Sequence, residues 1–299
     1  MSPAGEIATS ASTATSTATA TNEPTPSPIP VHGSRNTTPA AQRPHPKPGY
    51  PTCKLRFECR DLTHEGADVF LSANKVAEDL LAAVSTVLSI LYKPSQSNSH
   101  IPGTRSVTLI LEALEGVAYT MGSELDDDHK EIHFSLDYIS EIPTEPPFRR
   151  RDEIQGVLVH EMVHCWQWNG HGTAPGGLIE GIADFVRLKA GLSPPHWKKE
   201  KKDNWDGGYQ HTGYFLDWIE SNYGRGSVRR VNEALMNKRY DEEAFWMGLF
   251  GKQVKELWDE YCQTMAPDAA LDNKQEPDGE ALMEEDEGKT KDQLEKVLE

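Results

Sequence analysis

Large apolar side chains are concentrated between residues 50 and 263, which confines any packed core to that stretch of the 299-residue chain. Before it, residues 1–49 form a Ser/Thr/Ala/Pro tract, running from "ATSASTATSTATA" to "RPHPKPGY", with too little apolar surface to offset the entropy of ordering. After it, residues 264–299 hold twelve acids against four lysines, the pattern of a solvated acidic tail. Three segments are therefore expected: a disordered tail over 1–49, one folded domain over 50–263, and an acidic, mostly disordered tail over 264–299.

Charge then excludes two classes of partner. The −17 of the whole chain, less −8 on the acidic tail and +1 on the first tract, leaves −10 on the expected domain. Such a field repels a phosphate backbone and an anionic membrane surface, so neither nucleic acid nor membrane is expected as a partner. No window approaches the roughly 18 apolar residues of a membrane span, and the N-terminus lacks the apolar stretch of a secretory signal. A cytoplasmic location is the resulting expectation. Cys53, Cys59, Cys165 and Cys262 show no CxxC spacing, and in that setting they read as buried thiols rather than disulfides or zinc ligands.

Periodicity divides the domain in two. "TCKLRFECR" (52–60) alternates Cys53, Leu55, Phe57 and Cys59 with polar residues, the pattern of a half-buried strand. "NKVAEDLLAAVSTVLSILY" (74–92) repeats apolar residues at three and four and predicts a long core helix ended by Pro94. Further strands are predicted over 106–114 and 130–139, the second alternating Ile132, Phe134, Leu136 and Tyr138. Beyond "PTEPPF" (143–148) the periodic segments are helical, including 175–191, 214–224, 227–237 and 254–265. A sheet packed on a helix, followed by a helical half, makes an α+β fold.

The first helix of that second half contains "VLVHEMVHCWQWNG" (157–170). Positions i and i+4 share a helix face, so the imidazoles of His160 and His164 can serve one cation. Glu161 lies beside the pair, where a carboxylate can take a proton from a water near that cation. Alone, the pentapeptide is equally compatible with two hydrogen-bonded interior histidines. "GGLIEGIADFV" (176–186) shifts the balance. Glu180 and Asp184 are again four apart, on a helix whose other face is apolar, and two inward carboxylates are costly unless a cation or a network compensates them. Glu180 as third ligand, with Asp184 steering a ligating histidine, satisfies both. Zinc suits this set, because it accepts imidazole nitrogen and carboxylate oxygen and keeps a position open for water when three protein groups hold it. His171 is not expected to bind. A third histidine would be needed six residues after the second, with glycine three after it, and those positions hold Gly170 and Gln167. Trp166 and Trp168 read as packing residues, and Gly176 and Gly177 as a turn into the Glu180 helix.

HExxH, then "NGHGTAPGGLIEGIADFVRLKAG" (169–191), then "WDGGYQHTGYFLDWIE" (205–220), resembles across the whole expected domain the plant basic secretory protein family, peptidases of plants and bacteria with fungal members. The resemblance implies a gluzincin-type zinc metallopeptidase of zincin-like fold: a mixed β-sheet with an active-site helix beneath an edge strand, followed by a helical lobe. It implies zinc on His160, His164 and Glu180, the general base on Glu161, and a peptide or protein substrate. It also brings "WDGGYQH" (205–211) near the cleft, where Tyr209, His211 or Tyr214 can donate a hydrogen bond to the oxyanion formed as water attacks a carbonyl. The chain departs from the family's name in being acidic and in lacking a secretion signal. The alternative from another class is a non-catalytic zincin-fold binding or defence-related module. Glu161, for which a metal-stabilised scaffold has no use, favours the enzyme.

Overall fold

The structure, a computed structural model, describes residues 49–94, 100–124, 126–146 and 148–265, all within a unit spanning Arg43–Glu299. The tails expected over 1–49 and 264–299 lie outside these residues except for Gly49, Thr264 and Met265.

β1 (Lys54–Cys59) and β2 (Ser106–Glu112) pair in parallel with Lys54 opposite Ser106, and β2 pairs in parallel with β4 (Asp126–Ser135) with Ser106 opposite His129. β3 (Ala118–Ser123) is an antiparallel edge strand on β4, Tyr119 opposite His133, so the mixed sheet has the order β1-β2-β4-β3. The parallel pairing of β1 with β2 needs a long crossover, and α1 (Glu65–Ala73) with α2 (Val76–Leu91) provides it. Val107, Leu109 and Leu111 of β2 and Ile132 and Phe134 of β4 are fully buried, and Phe134 meets Phe70 of α1 edge-on at 6.5 Å.

The strand expected over 130–139 requires correction. β4 ends at Ser135, whose side chain accepts the Tyr138 N–H at 3.2 Å and caps a short helix, α3 (Leu136–Glu141). Leu136 and Tyr138 therefore belong to a helix, in which the buried pair is Leu136 and Ile139, three apart. An alternation that happened to continue past a serine cap imitated a longer strand.

α4 (Arg149–His164) is buried all round from Gly156 to Val163, with α2, β3 and α5 (Gly176–Lys189) packed against it. Helix geometry leaves the carbonyls at its C-terminal end without partners. Hydroxyls from outside serve this region: Thr120 Oγ1 donates to the Glu161 carbonyl in the last turn at 3.1 Å, and just past the end Thr104 Oγ1 donates to the Cys165 carbonyl at 2.6 Å and the Tyr92 hydroxyl to that of Trp166. These bonds hold the end of the helix that carries His160 and His164.

The helical lobe continues with α6 (Tyr209–Asn222), α7 (Ser227–Ala234), α8 (Glu242–Phe250) and α9 (Val254–Gln263), packed around Phe215, Trp246 and Trp258. α5 and α6 approach closely because Gly181 has no side chain: a Cβ there would stand 2.3 Å from Thr212 Cγ2. Gly177 meets the same need rather than the turn expected of it. It lies inside the first turn of α5, where a Cβ would stand 1.9 Å from the Asp206 carbonyl oxygen. Trp166 is fully buried and the four cysteines are free thiols. No helix among the described residues is long and apolar enough to cross a membrane.

Candidate metal centre

The one-turn spacing of His160 and His164 on α4 puts their Nε2 atoms 3.3 Å apart. α5 brings one Glu180 carboxylate oxygen to 3.1 Å from the first and the other to 3.7 Å from the second. Ligand atoms of the three residues all lie within 4.8 Å of one another, and no other such group of His, Cys, Asp or Glu exists among the described residues. His171, exposed and with φ of 56°, is no part of it.

Asp184, 2 % exposed, lies 2.6 Å from His160 Nδ1. A carboxylate only accepts, so Nδ1 carries the hydrogen and donates, which leaves a lone pair on Nε2 of the neutral ring. That lone pair faces the Glu180 carboxylate and the His164 ring. Converging acceptors of this kind require a cation between them, either a proton or a metal ion. Without a metal, a proton takes the place: burial opposes charge on His160, but Asp184 and Glu180 outweigh it and raise its pKa to about 9. Burial likewise pushes the Glu180 carboxyl up, and hydrogen bonds from His160 and His164 bring it far below the usual carboxylate range. Two imidazole nitrogens and a carboxylate oxygen, with a second carboxylate behind one imidazole, are a donor set that fits zinc.

Glu161 is 6 % exposed and meets β3, where the Thr120 hydroxyl lies 2.7 Å from its Oε2 and 3.1 Å from its carbonyl oxygen. A cleft of about 1040 Å³ opens over these residues, bounded by Gly116–Thr120 on one side and reaching Glu153, Arg187 and Trp197.

Of the three residues expected from the glycine-rich turn, Tyr209 lines this cleft. It follows Gly208 with a φ of 48°, and its ring lies 6.3 Å from that of His160, within 15° of parallel. The charge of Glu180, then burial, raises the pKa of its hydroxyl. His211 and Tyr214 are not brought there. α6 begins at Tyr209, and each step along a helix rotates the side chain by about 100°, so both turn away. His211 borders a separate depression with Lys202 and Asn204, where burial, then the Lys202 charge, lowers its pKa. Tyr214 packs edge-on to Trp197 at 6.2 Å beneath the Lys199 ammonium.

Among the polar side chains of the cleft that sequence reasoning missed are Thr120, Glu153 and Arg187. Thr120 was hidden because β3 was not foreseen. Glu153 and Arg187 left a signal that could have found them: Glu153 is seven residues before His160 on α4 and Arg187 seven after Glu180 on α5, both on the stripes that carry the candidate ligands.

The family described as "peptidase of plants and bacteria" matches residues 52–261, a span that includes the sheet and every residue of the site. No curated protein and no solved structure matches the chain. With a match over well more than half its length, the chain belongs to the family of peptidases of plants and bacteria.

Proposed function

We propose that the chain is a zinc-dependent peptide-bond hydrolase with a zincin-like fold and a gluzincin ligand set, in which His160, His164 and Glu180 hold zinc and Glu161 is the general base. The observation that carries this reading is the convergence of the two imidazole nitrogens and the Glu180 carboxylate within 4.8 Å, with Asp184 fixing the tautomer of His160. The family's description as peptidases supports a peptide or protein substrate. Zinc bound there would supply a Lewis acid that polarises the scissile carbonyl and lowers the pKa of the attacking water.

The remaining work falls to the chain's own groups. Asp184 keeps the His160 ring oriented with its Nε2 lone pair toward Glu180 and His164. Glu161 takes a proton from the attacking water at its carboxylate and delivers it to the leaving amine; the Thr120 hydroxyl occupies Oε2 at 2.7 Å and leaves Oε1 for that transfer. Tyr209, its ring beside that of His160, donates to the oxyanion. β3 is the sheet's edge at the cleft, and its outer backbone groups can pair with an extended peptide.

Metal analysis of the purified chain should find about one zinc per chain, and a chelator should abolish hydrolysis of casein or a mixed peptide library, with added zinc restoring it. Glu161→Gln should keep its zinc and its fold while losing about 10²-fold or more in turnover. A chain that takes up no zinc, or a Glu161→Gln protein that turns over like its parent, overturns the reading.

A further inference from the structure

The cleft extends past the metal-holding residues along the two helices that bear them. Seven residues separate Glu153 from His160 and Arg187 from Glu180, so each lies about 10 Å along its helix from a ligand at roughly 1.5 Å per residue. There the two side chains meet. Arg187 Nη2 donates to Glu153 Oε1 at 2.9 Å, and Arg187 Nε donates to the Leu192 carbonyl at 3.0 Å. Gly156 of α4 makes room for the guanidinium, since a Cβ there would stand 2.5 Å from Nε and 2.8 Å from Cζ. The Trp197 indole flanks it, 5.3 Å from Cζ. Arg187 Nη1 has no protein partner among the described residues, although the side chain is only 8 % exposed.

Glu153 already serves a second cation. Besides Arg187 it accepts the Tyr138 hydroxyl at 2.8 Å and Arg149 Nη1 at 2.6 Å. Two guanidinium groups against one carboxylate leave a surplus positive charge, with guanidinium donors to spare. A strut between α4 and α5 would need only the Glu153–Arg187 contact. The indole wall and the unspent Nη1 at the cleft go beyond that need.

We propose that Arg187 is the specificity-determining residue of a subsite that takes a carboxylate of the substrate, supplied by an Asp or Glu side chain near the scissile bond or by the peptide's own C-terminus. The inference rests on the peptidase reading. An extended peptide advances roughly 3.3 Å per residue, so the distance from the ligands to Arg187 corresponds to one or two residues plus a side chain.

The test uses the full zinc-loaded chain and matched peptides built on a sequence it cleaves, varied as Glu against Gln at each position flanking the scissile bond and as free against amidated C-terminus. A preference of about 10- to 100-fold in kcat/KM for Glu over Gln, whatever the terminus, is expected of a charge-assisted hydrogen bond to a side chain. The same factor for free over amidated peptides supports the subsite with the chain end as its ligand. Arg187→Met should abolish whichever preference the parent shows. Equal rates for all the peptides, or a preference retained by a folded Arg187→Met protein, overturns the proposal. Binding of the same peptides, fluorescently labelled, to the Glu161→Gln protein separates the two readings. Selective binding without turnover by the parent refutes the peptidase and keeps the subsite, whereas turnover without selectivity refutes the subsite alone.

Discussion

Replacing Gly181 by alanine should disturb the candidate metal centre from outside it. Gly181 follows Glu180 on α5, and an added Cβ would stand 2.3 Å from Thr212 Cγ2 and 2.5 Å from Thr212 Cβ on α6. Carbon atoms rest at about 3.5 Å or more, so the two helices must part by roughly 1 Å. Thr212 has little freedom to yield. It is fully buried, its Oγ1 accepts from the Gly208 N–H at 3.0 Å, and it donates to the Trp205 carbonyl at 2.8 Å. The crossing is tight on both helices, since a Cβ on Gly213 would stand 3.1 Å from Asp184 Cβ. Overpacking of this kind costs about 1–3 kcal/mol, and alanine's advantage inside a helix offsets roughly 0.5–1 kcal/mol of it. A net loss of roughly 0.5–2 kcal/mol lowers Tm by about 1–8 °C in a domain of this size. The same displacement moves Glu180 and Asp184 relative to His160, and zinc affinity should fall about 10-fold or more. Thermal melts of the metal-free protein and competition for zinc against a chromophoric chelator read the two effects. An alanine protein that melts at or above the parent's temperature and holds zinc as tightly would refute the idea that glycine is there to let the helices meet.

Three further outcomes are expected. Glu180→Ala should lose tightly held zinc while His171→Ala keeps it, as read by the same competition; the opposite result would remove Glu180 from the ligand set. Asp184→Asn should weaken zinc affinity or kcat/KM by roughly 10- to 100-fold, because an amide cannot hold the His160 ring as the carboxylate does; unchanged values in both would count against its steering role. Burial pushes the Glu153 carboxyl up, but Arg187, with Tyr138 and Arg149, holds it below its ordinary value. Its contribution to stability is therefore complete above the unfolded value near pH 4.3 and is lost as pH falls through the lower folded value. The Tm gap between the parent and Glu153→Gln should stay steady from about pH 8 to 5 and shrink below about pH 4; a gap that widens on acidification would contradict this.

α4 and α5 were legible in the sequence because chemistry and periodicity coincide on them: His160 with His164, and Glu180 with Asp184, are each one turn apart on helices otherwise buried. β3 was illegible for a physical reason. In "AYTMGS" the inward Thr120 is polar, while the outward Tyr119 and Met121 are 45 % and 44 % exposed, so the alternation runs against the usual sense. α1 escaped because its start lacks the usual signal. The capping side chain is His64, whose Nδ1 accepts the Gly66 N–H at 3.0 Å, in place of a Ser, Thr, Asp or Asn. α6 begins at Tyr209, five residues before its apolar repeat, since "YQHTG" has no periodic face to announce it. Glu153 and Arg187 each lie on a legible stripe, seven residues from His160 or Glu180, but they are 34 residues apart on separate helices, and neither stripe announces that the two meet.

His160 and Glu180 are 20 residues apart, and α4, α5 and the connection between them carry both histidines, both site carboxylates of α5, Glu161 and Arg187. The sheet is assembled quite differently, for pairing Lys54 with Ser106 closes a far longer loop through two helices. Closing the shorter loop costs about 0.8 kcal/mol less chain entropy on a logarithmic scale of loop length. Loop entropy therefore favours early closure of the helical hairpin, with its reactive groups, over pairing of the strands. On the zinc reading, a cation captured at that stage would tie α4 to α5 as a crosslink does, and the long-range search for the parallel sheet would then proceed around a hairpin already fastened.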